Sequence, residues 1–212
     1  MPIFRSGEGN APSWCELENF ELINLTPDAP KTVERKTEKE VFLVCQGRIN
    51  LVSGNIDCNS MPGGWVNLHD NSEEPVELNA LYTDALVFRA MGRWDSITGA
   101  GLFDVWTTTP PDFDTPYDYD KTTRFDNHYH DFDEYWVVFE GEATVATEGK
   151  LFDVGPGDCI ATGMGWHHDV VSVKDDRKMW AVYFESGREG KGRTGHLWEP
   201  KHGKAEPQLD RV

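Results

Sequence analysis

The sequence predicts an all-β protein, a barrel or sandwich of short strands present in two related copies. Three observations carry this. Strand-like runs bounded by Gly, Pro, Asn and Asp recur along the whole 212-residue chain. Helical periodicity is scarce, while twelve prolines and twenty glycines supply the turns that many short strands need. And the chain partly repeats itself.

The strand-like runs are Phe20–Leu25, Val41–Cys45, Arg48–Val52, Ala85–Ala90, Phe103–Thr107, Tyr135–Phe139, Ala143–Thr147 and Trp180–Phe184. At an offset of 94, Glu40, Val44, Gly47, Pro62 and Gly63 fall on Glu134, Val138, Gly141, Pro156 and Gly157. At 95, Val87, Gly92 and Arg93 fall on Val182, Gly187 and Arg188. At 83, Phe20–Pro27 falls on Phe103–Pro110, which implies an 11-residue insertion in the second copy around the acidic stretch Asp112–Asp126. The acidic and aromatic part of that stretch, Pro110–Asp120, lacks periodicity and is expected to be an exposed loop.

The chemistry concentrates in the second copy. His128, His130 and Glu134 stand at i, i+2 and i+6. On an extended segment, residues of one parity share a face, so two imidazoles and a carboxylate can enter one pocket. On a helix, residues two apart point some 200° away from each other. The first copy has Glu34 and Lys36 where the second has His128 and His130, and roughly Glu74 opposite His168. Only Glu40 matches Glu134, so the first half has the scaffold without the ligands.

Parity sorts the neighbours. Trp136 and Val138 share a face with Glu134 and should line the interior, whereas Tyr135 should pack between layers. Asp131 and Asp133 have the opposite parity and read as solvated or loop residues, and Trp166 as a residue of the cavity mouth. His167 competes with His168, and adjacent strand residues face opposite ways. His69, His196 and His202 read as surface residues, with the His196–Trp198 run a candidate C-terminal lid.

From His128 the chain runs His-x-His, three residues, Glu, six residues, Gly141; Gly157, Gly165 and His168 follow at fixed spacing. This pattern resembles the two motifs of the cupin superfamily. Thr122 stands where the first motif opens with Gly, and Gly163 and Ser172 replace Pro and Asn of the second. The resemblance implies a double-stranded β-helix, or jelly roll, here as two tandem barrels: residues 1–95 without ligands, 96–190 with the metal, and a tail, 191–212. It carries the ligand role to His128, His130, Glu134 and, at the second-motif position, His168. Such nitrogen-rich sets suit one divalent transition metal, Fe, Mn, Ni, Co or Zn, with Fe favoured, over Ca or Mg.

Composition narrows the partners. A formal charge of −17 repels nucleic acid phosphates and anionic lipid heads, leaving a small-molecule substrate and, by resemblance, a homodimer. No run approaches a spanning helix or secretory leader, so a cytoplasmic protein with four reduced cysteines is expected. No catalytic residue is assigned. The sequence fixes no second carboxylate or Lys in the pocket, which tilts the expectation to a dioxygenase, where the metal does most of the work. The alternatives are a sugar isomerase or epimerase, a lyase, or a non-catalytic metal or small-ligand binding protein.

Overall fold

The computed structural model of the chain describes residues 2–68, 74–106, 114–187 and 195–212. His69 and residues 110–113 of the acidic and aromatic stretch lie outside them. The described residues form sixteen strands: β1 (Ile3–Arg5), β2 (Leu17–Leu25), β3 (Lys31–Val33), β4 (Lys39–Gln46), β5 (Ile49–Ser53), β6 (Ile56–Ser60), β7 (Trp65–Leu68), β8 (Val76–Ala80), β9 (Ala85–Gly92), β10 (Ser96–Val105), β11 (Asp133–Glu140), β12 (Ala143–Thr147), β13 (Lys150–Val154), β14 (Asp158–Thr162), β15 (His168–Val173) and β16 (Met179–Gly187). One short helix, α1 (Glu199–His202), lies in the tail. No helix among the described residues is long and apolar enough to cross a membrane. All four cysteines are free thiols.

The strands form two jelly-roll barrels. In the first, the sheet β2-β9-β4-β7 faces β3-β8-β5-β6 across Phe42, Val44, Leu51, Leu78 and Val87. In the second, β1-β14-β11-β16-β10 faces β13-β12-β15 across Trp136, Val138, Val145, Val170 and Ala181. The alternate residues of β4, β9, β11 and β16 point out of their own barrels. Leu43, Phe88, Tyr135, Val137 and Phe184 from these faces meet in a third apolar core that joins the barrels back to back. Tyr135 lies between the layers as parity predicts, and its hydroxyl accepts a 2.9 Å hydrogen bond from the backbone N–H of Glu16.

The pairing register sharpens the repeat. Glu40 sits opposite Met91 and Glu134 opposite Glu185, each 94 residues apart. Val44 opposite Val87 matches Val138 opposite Ala181, so β9 and β16 also keep 94 instead of the expected 95. Leu17 opposite Gly92 matches Ile97 opposite Ser186, which sets β2 and β10 at 80 instead of 83 and makes the insertion 14 residues. The irregularities repeat too: register shifts at Leu17/Asn19 and Val44/Gln46 recur at Ile97/Gly99 and Val138/Glu140. Few identities survive because backbone stagger, not side-chain identity, is what the fold retained.

One expectation about the ligand strand changes. His128, His130 and Glu134 do not lie on one continuous strand: the chain bends at Asp131 and Phe132, and β11 begins at Asp133. His128 bridges to His168 beside β15, whereas Glu134 belongs to the opposite sheet. The candidate ligands therefore converge from two walls of the barrel. Asp133 also differs from the solvated residue expected. It is buried, accepts a 2.9 Å bond from the N–H of Met164, and pairs with Arg211.

That pairing explains a departure in the second motif. The tail runs so close to the loop before β15 that a Cβ at Gly163 would lie 2.5 Å from the Arg211 side chain. At Gly165, with φ +79°, it would lie 2.3 Å from the Glu206 carbonyl oxygen. Proline has no room at 163. Gly165→Ala is expected to cost about 1–3 kcal/mol through overpacking and left-handed strain, measured by chemical denaturation. A change below about 0.5 kcal/mol would show that the tail yields freely.

Candidate metal centre

Four side chains meet near one end of the second barrel. His128, His130, Glu134 and His168 are all buried, and one nitrogen or oxygen of each lies within 4.8 Å of the others. The Nε2 atoms of His128 and His130 are 3.0 Å apart. Glu134 Oε2 lies 3.2 Å from His130 Nε2 and 2.8 Å from His168 Nε2. His167, with its Nε2 3.5 Å from Glu199, faces the outside of the wall, as alternation requires.

The hydrogen bonds behind the rings decide what the rings present. His128 Nδ1 donates to the carbonyl of Asp126 at 2.8 Å, His130 Nδ1 to that of Gly195 at 3.2 Å, and His168 Nδ1 to that of Trp166 at 3.2 Å. A carbonyl oxygen can only accept, so the proton sits on Nδ1 and each Nε2 aims a bare lone pair inward. His168 Nε2 and Glu134 Oε2 are buried and have no hydrogen-bond partner. Acceptors facing acceptors at about 3 Å, cut off from water, call for a cation between them. Three neutral imidazoles and one carboxylate fit a divalent transition metal, with positions left for other ligands.

Electrostatics agrees. Burial, reinforced by the neighbouring histidines, pushes His128 well below its ordinary value. Burial pushes Glu134 up, and only charged, donating rings at His130 and His168 would hold its carboxylate low; the neutral rings described above cannot, which leaves that role to a cation. Since the folded His128 value lies beneath the unfolded one, its stabilising contribution is complete above about pH 6.5 and is lost as pH falls. Nitrogen-15 spectra of the metal-free protein at pH 6 are expected to show a neutral His128 protonated on Nδ1. A cationic ring there would contradict the geometry.

The surroundings are unequal. Phe103, Phe125 and Trp136 pack together with ring centroids 5.1–5.6 Å apart, and Trp136 stands 5.0 Å from the His168 ring. This aromatic block is the interior wall that parity predicts for Trp136. On the other side, Glu185 lies opposite Glu134, buried on the same face of β16 as Ala181. Sequence reasoning missed this second carboxylate, although Glu185 falls 94 residues after the paired partner of Glu40 and could have been found from the repeat.

His196 is exposed, as expected of a surface residue, and belongs to the candidate lid run. It is not an isolated surface residue: its ring stacks on His128 at 3.9 Å and 8°, and Nδ1 lies 3.4 Å from Asp126 Oδ2. Burial lowers His196, but Asp126 outweighs it and raises the ring above its ordinary value. Burial raises Asp126, and His196, His128 and Trp198 together pull it low. The tail thus packs back over the barrel, the lid arrangement. His202, by contrast, is exposed.

The described part of the acidic stretch is more than an exposed loop. The Lys121 side chain is fully buried, its Nζ 3.0 Å from Asp114 and 2.8 Å from Asp169, and Tyr119 donates to the same Asp169 oxygen at 2.7 Å. Burial raises Asp169 to about 6 against these partners. The network backs β15 from outside, beside His168. Trp166 also lies on this outer side, where it lines a cleft of about 440 Å³ with Tyr117, Tyr119 and His167.

Comparison with known proteins places this geometry. Residues 117–184 match the family described as a Cupin domain. An uncharacterized protein, y4oW, from Sinorhizobium fredii (strain NBRC 101917 / NGR234) is 41% identical over 214 residues, spanning 100% of this chain and 97% of its own. Among solved structures, hazelnut (Corylus avellana) vicilin superposes with a TM-score of 0.57 at 10% identity, covering 90% of this chain and 81% of its own. Oxalate decarboxylase from Bacillus subtilis gives 0.53 at 11%, covering 80% and 69%. AerE from Microcystis aeruginosa gives 0.53 at 12%, covering 80% and 87%. At such identities these structures speak for the fold alone.

Proposed function

The chain belongs to the cupin superfamily, and from that footing we propose that it is a metal-dependent enzyme acting on a small organic molecule, with dioxygenase-type chemistry as its reaction. The observation that carries the reading is the set of inward Nε2 lone pairs around a buried, donorless carboxylate oxygen. His128, His130, Glu134 and His168 would hold one divalent transition metal, iron before manganese, nickel, cobalt or zinc. Bound there, the metal would supply a Lewis acid and, as iron, a redox centre with positions for substrate and oxygen.

The chain's own residues do the rest. Phe103, Phe125 and Trp136 exclude water from one side of the centre. His196 and Asp126 form a polar edge where a substrate with oxygen or charged groups can be oriented. Glu185 can take or give a proton on the Glu134 side. Residues 96–190 carry the chemistry in this reading, residues 1–95 act as scaffold, and the tail from Gly195 onward closes the site.

Glu185 supports a second reading. The expectation of oxygen chemistry leaned on the lack of a second carboxylate, and Glu185 removes that ground in favour of proton transfer, as in an isomerase or a lyase. Metal analysis of untagged protein, with oxygen uptake measured on phenols, diketones and thiols, separates the two. Bound iron with substrate-dependent uptake is the expected result. Turnover without oxygen uptake selects proton transfer, and tightly held metal without turnover on any substrate class reduces the protein to a binding module.

A further inference from the structure

We infer that the C-terminal segment, residues 195–211, is a positioning element of the metal centre, setting how firmly the metal is held; this rests on the metal reading above. The segment reaches a neighbour of every proposed ligand. The carbonyl of Gly195 accepts the His130 Nδ1 proton, and the His196 ring covers His128. Leu197 exchanges two 3.0 Å backbone hydrogen bonds with Tyr129, the residue between the two histidines. Trp198 Nε1 donates at 2.6 Å to Asp126 Oδ2, the same oxygen that faces His196 and His128.

Farther on, the segment grips the other two ligands through their flanks. The N–H of Gln208 donates to the Met164 carbonyl at 3.1 Å, and Trp166 Nε1 donates to the Gln208 carbonyl at 3.1 Å. Trp166 is the residue whose own carbonyl orients His168. Arg211 pairs with buried Asp133, next to Glu134. The Gly163 and Gly165 contacts hold this path against the loop. A metal ligand's affinity depends on the groups that fix its ring, and their loss costs about 10–100-fold. Here two such groups, the Gly195 carbonyl and the His196 ring, come from the tail.

The test uses the full-length protein loaded with cobalt(II). Release into excess chelator, the visible ligand-field spectrum and the melting temperature of the metal-free form are measured for wild type, His196→Ala and Trp198→Phe. His196 is substantially exposed, so its variant is expected to fold. Trp198→Phe keeps an aromatic ring and removes the indole N–H that bonds Asp126. Release about 10–100-fold faster in His196→Ala, with an altered spectrum in both variants, is expected. Wild-type release and spectra in both overturn the inference, even if a melting temperature falls, because that outcome makes the tail merely structural. A wild type that takes up no cobalt overturns the metal reading itself, and with it the role of the tail.

Discussion

His168→Ala is expected to lose the metal outright, falling from about one equivalent per chain to almost none, while His167→Ala keeps it. The two residues are adjacent and could be confused from spacing alone, yet they stand on opposite sides of one wall. His168 Nε2 is 2.8 Å from Glu134 and has no donor, whereas His167 Nε2 faces Glu199 outside the barrel. His128→Ala should behave like His168→Ala, because it removes the lone pair 3.0 Å from His130 Nε2. Metal content by elemental analysis after gel filtration reads all three variants. Loss in His167→Ala with retention in His168→Ala would reverse the assignment.

The second large effect lies in the barrel without the histidine cluster. Its counterpart of Glu134 is Glu40, fully buried and equally in need of a positive charge. Arg89 supplies it: Nε donates at 2.8 Å and Nη2 at 2.7 Å to Glu40 Oε2, while Nη1 reaches Glu21 at 3.0 Å. The N–H groups of Lys36 and Thr37 satisfy Glu40 Oε1 at 2.7 and 3.2 Å. Removing the guanidinium leaves the buried carboxylate with the Arg35 Nε, 3.8 Å away, as a more distant counter-charge. Arg89→Met is expected to destabilise the protein by about 3–5 kcal/mol, the cost of stranding one partner of a buried ion pair. The double variant Arg89→Met, Glu40→Leu should recover most of that, since an apolar pair of similar volume is often close to neutral there. Urea denaturation of both variants checks this. A loss below about 1 kcal/mol in Arg89→Met would mean that water reaches Glu40.

Much of this could be read from residue order, and the failures have identifiable physical causes. The convergence of His128, His130, Glu134 and His168 was legible from motif spacing, though not the bent path that brings it about. Trp136 and Tyr135 were legible because alternation is strict within a strand. The bend at Asp131–Phe132 was not, because nothing local marks it; it follows from the need to cross from one sheet to the other. Arg89 stood in the sequence as one charged residue in an apolar strand, and its partner Glu40 is 49 positions away. Asp133 was misjudged for a related reason. Its parity was right, but the surface it faces is covered by Arg211, 78 residues later. His196 and Glu185 depend likewise on pairings that only the closed barrel brings about. The N-terminal counterpart of His168 was placed near Glu74 by spacing; the register of β5 on β8 carries it to Val76, an apolar residue that binds nothing.

The Arg89–Glu40 pair also bears on the order in which the protein can be made. The first barrel carries its own counter-charge, so it can complete its interior from the nascent chain alone. On the metal reading, the second needs an ion as well. Because domains generally fold as units, N-terminal first during synthesis, the half that needs nothing is finished first. It then offers the face bearing Leu43 and Phe88 as a template for the second barrel. Cells short of that metal should accumulate chains whose front half resists protease and whose back half is cut, a pattern visible on a gel.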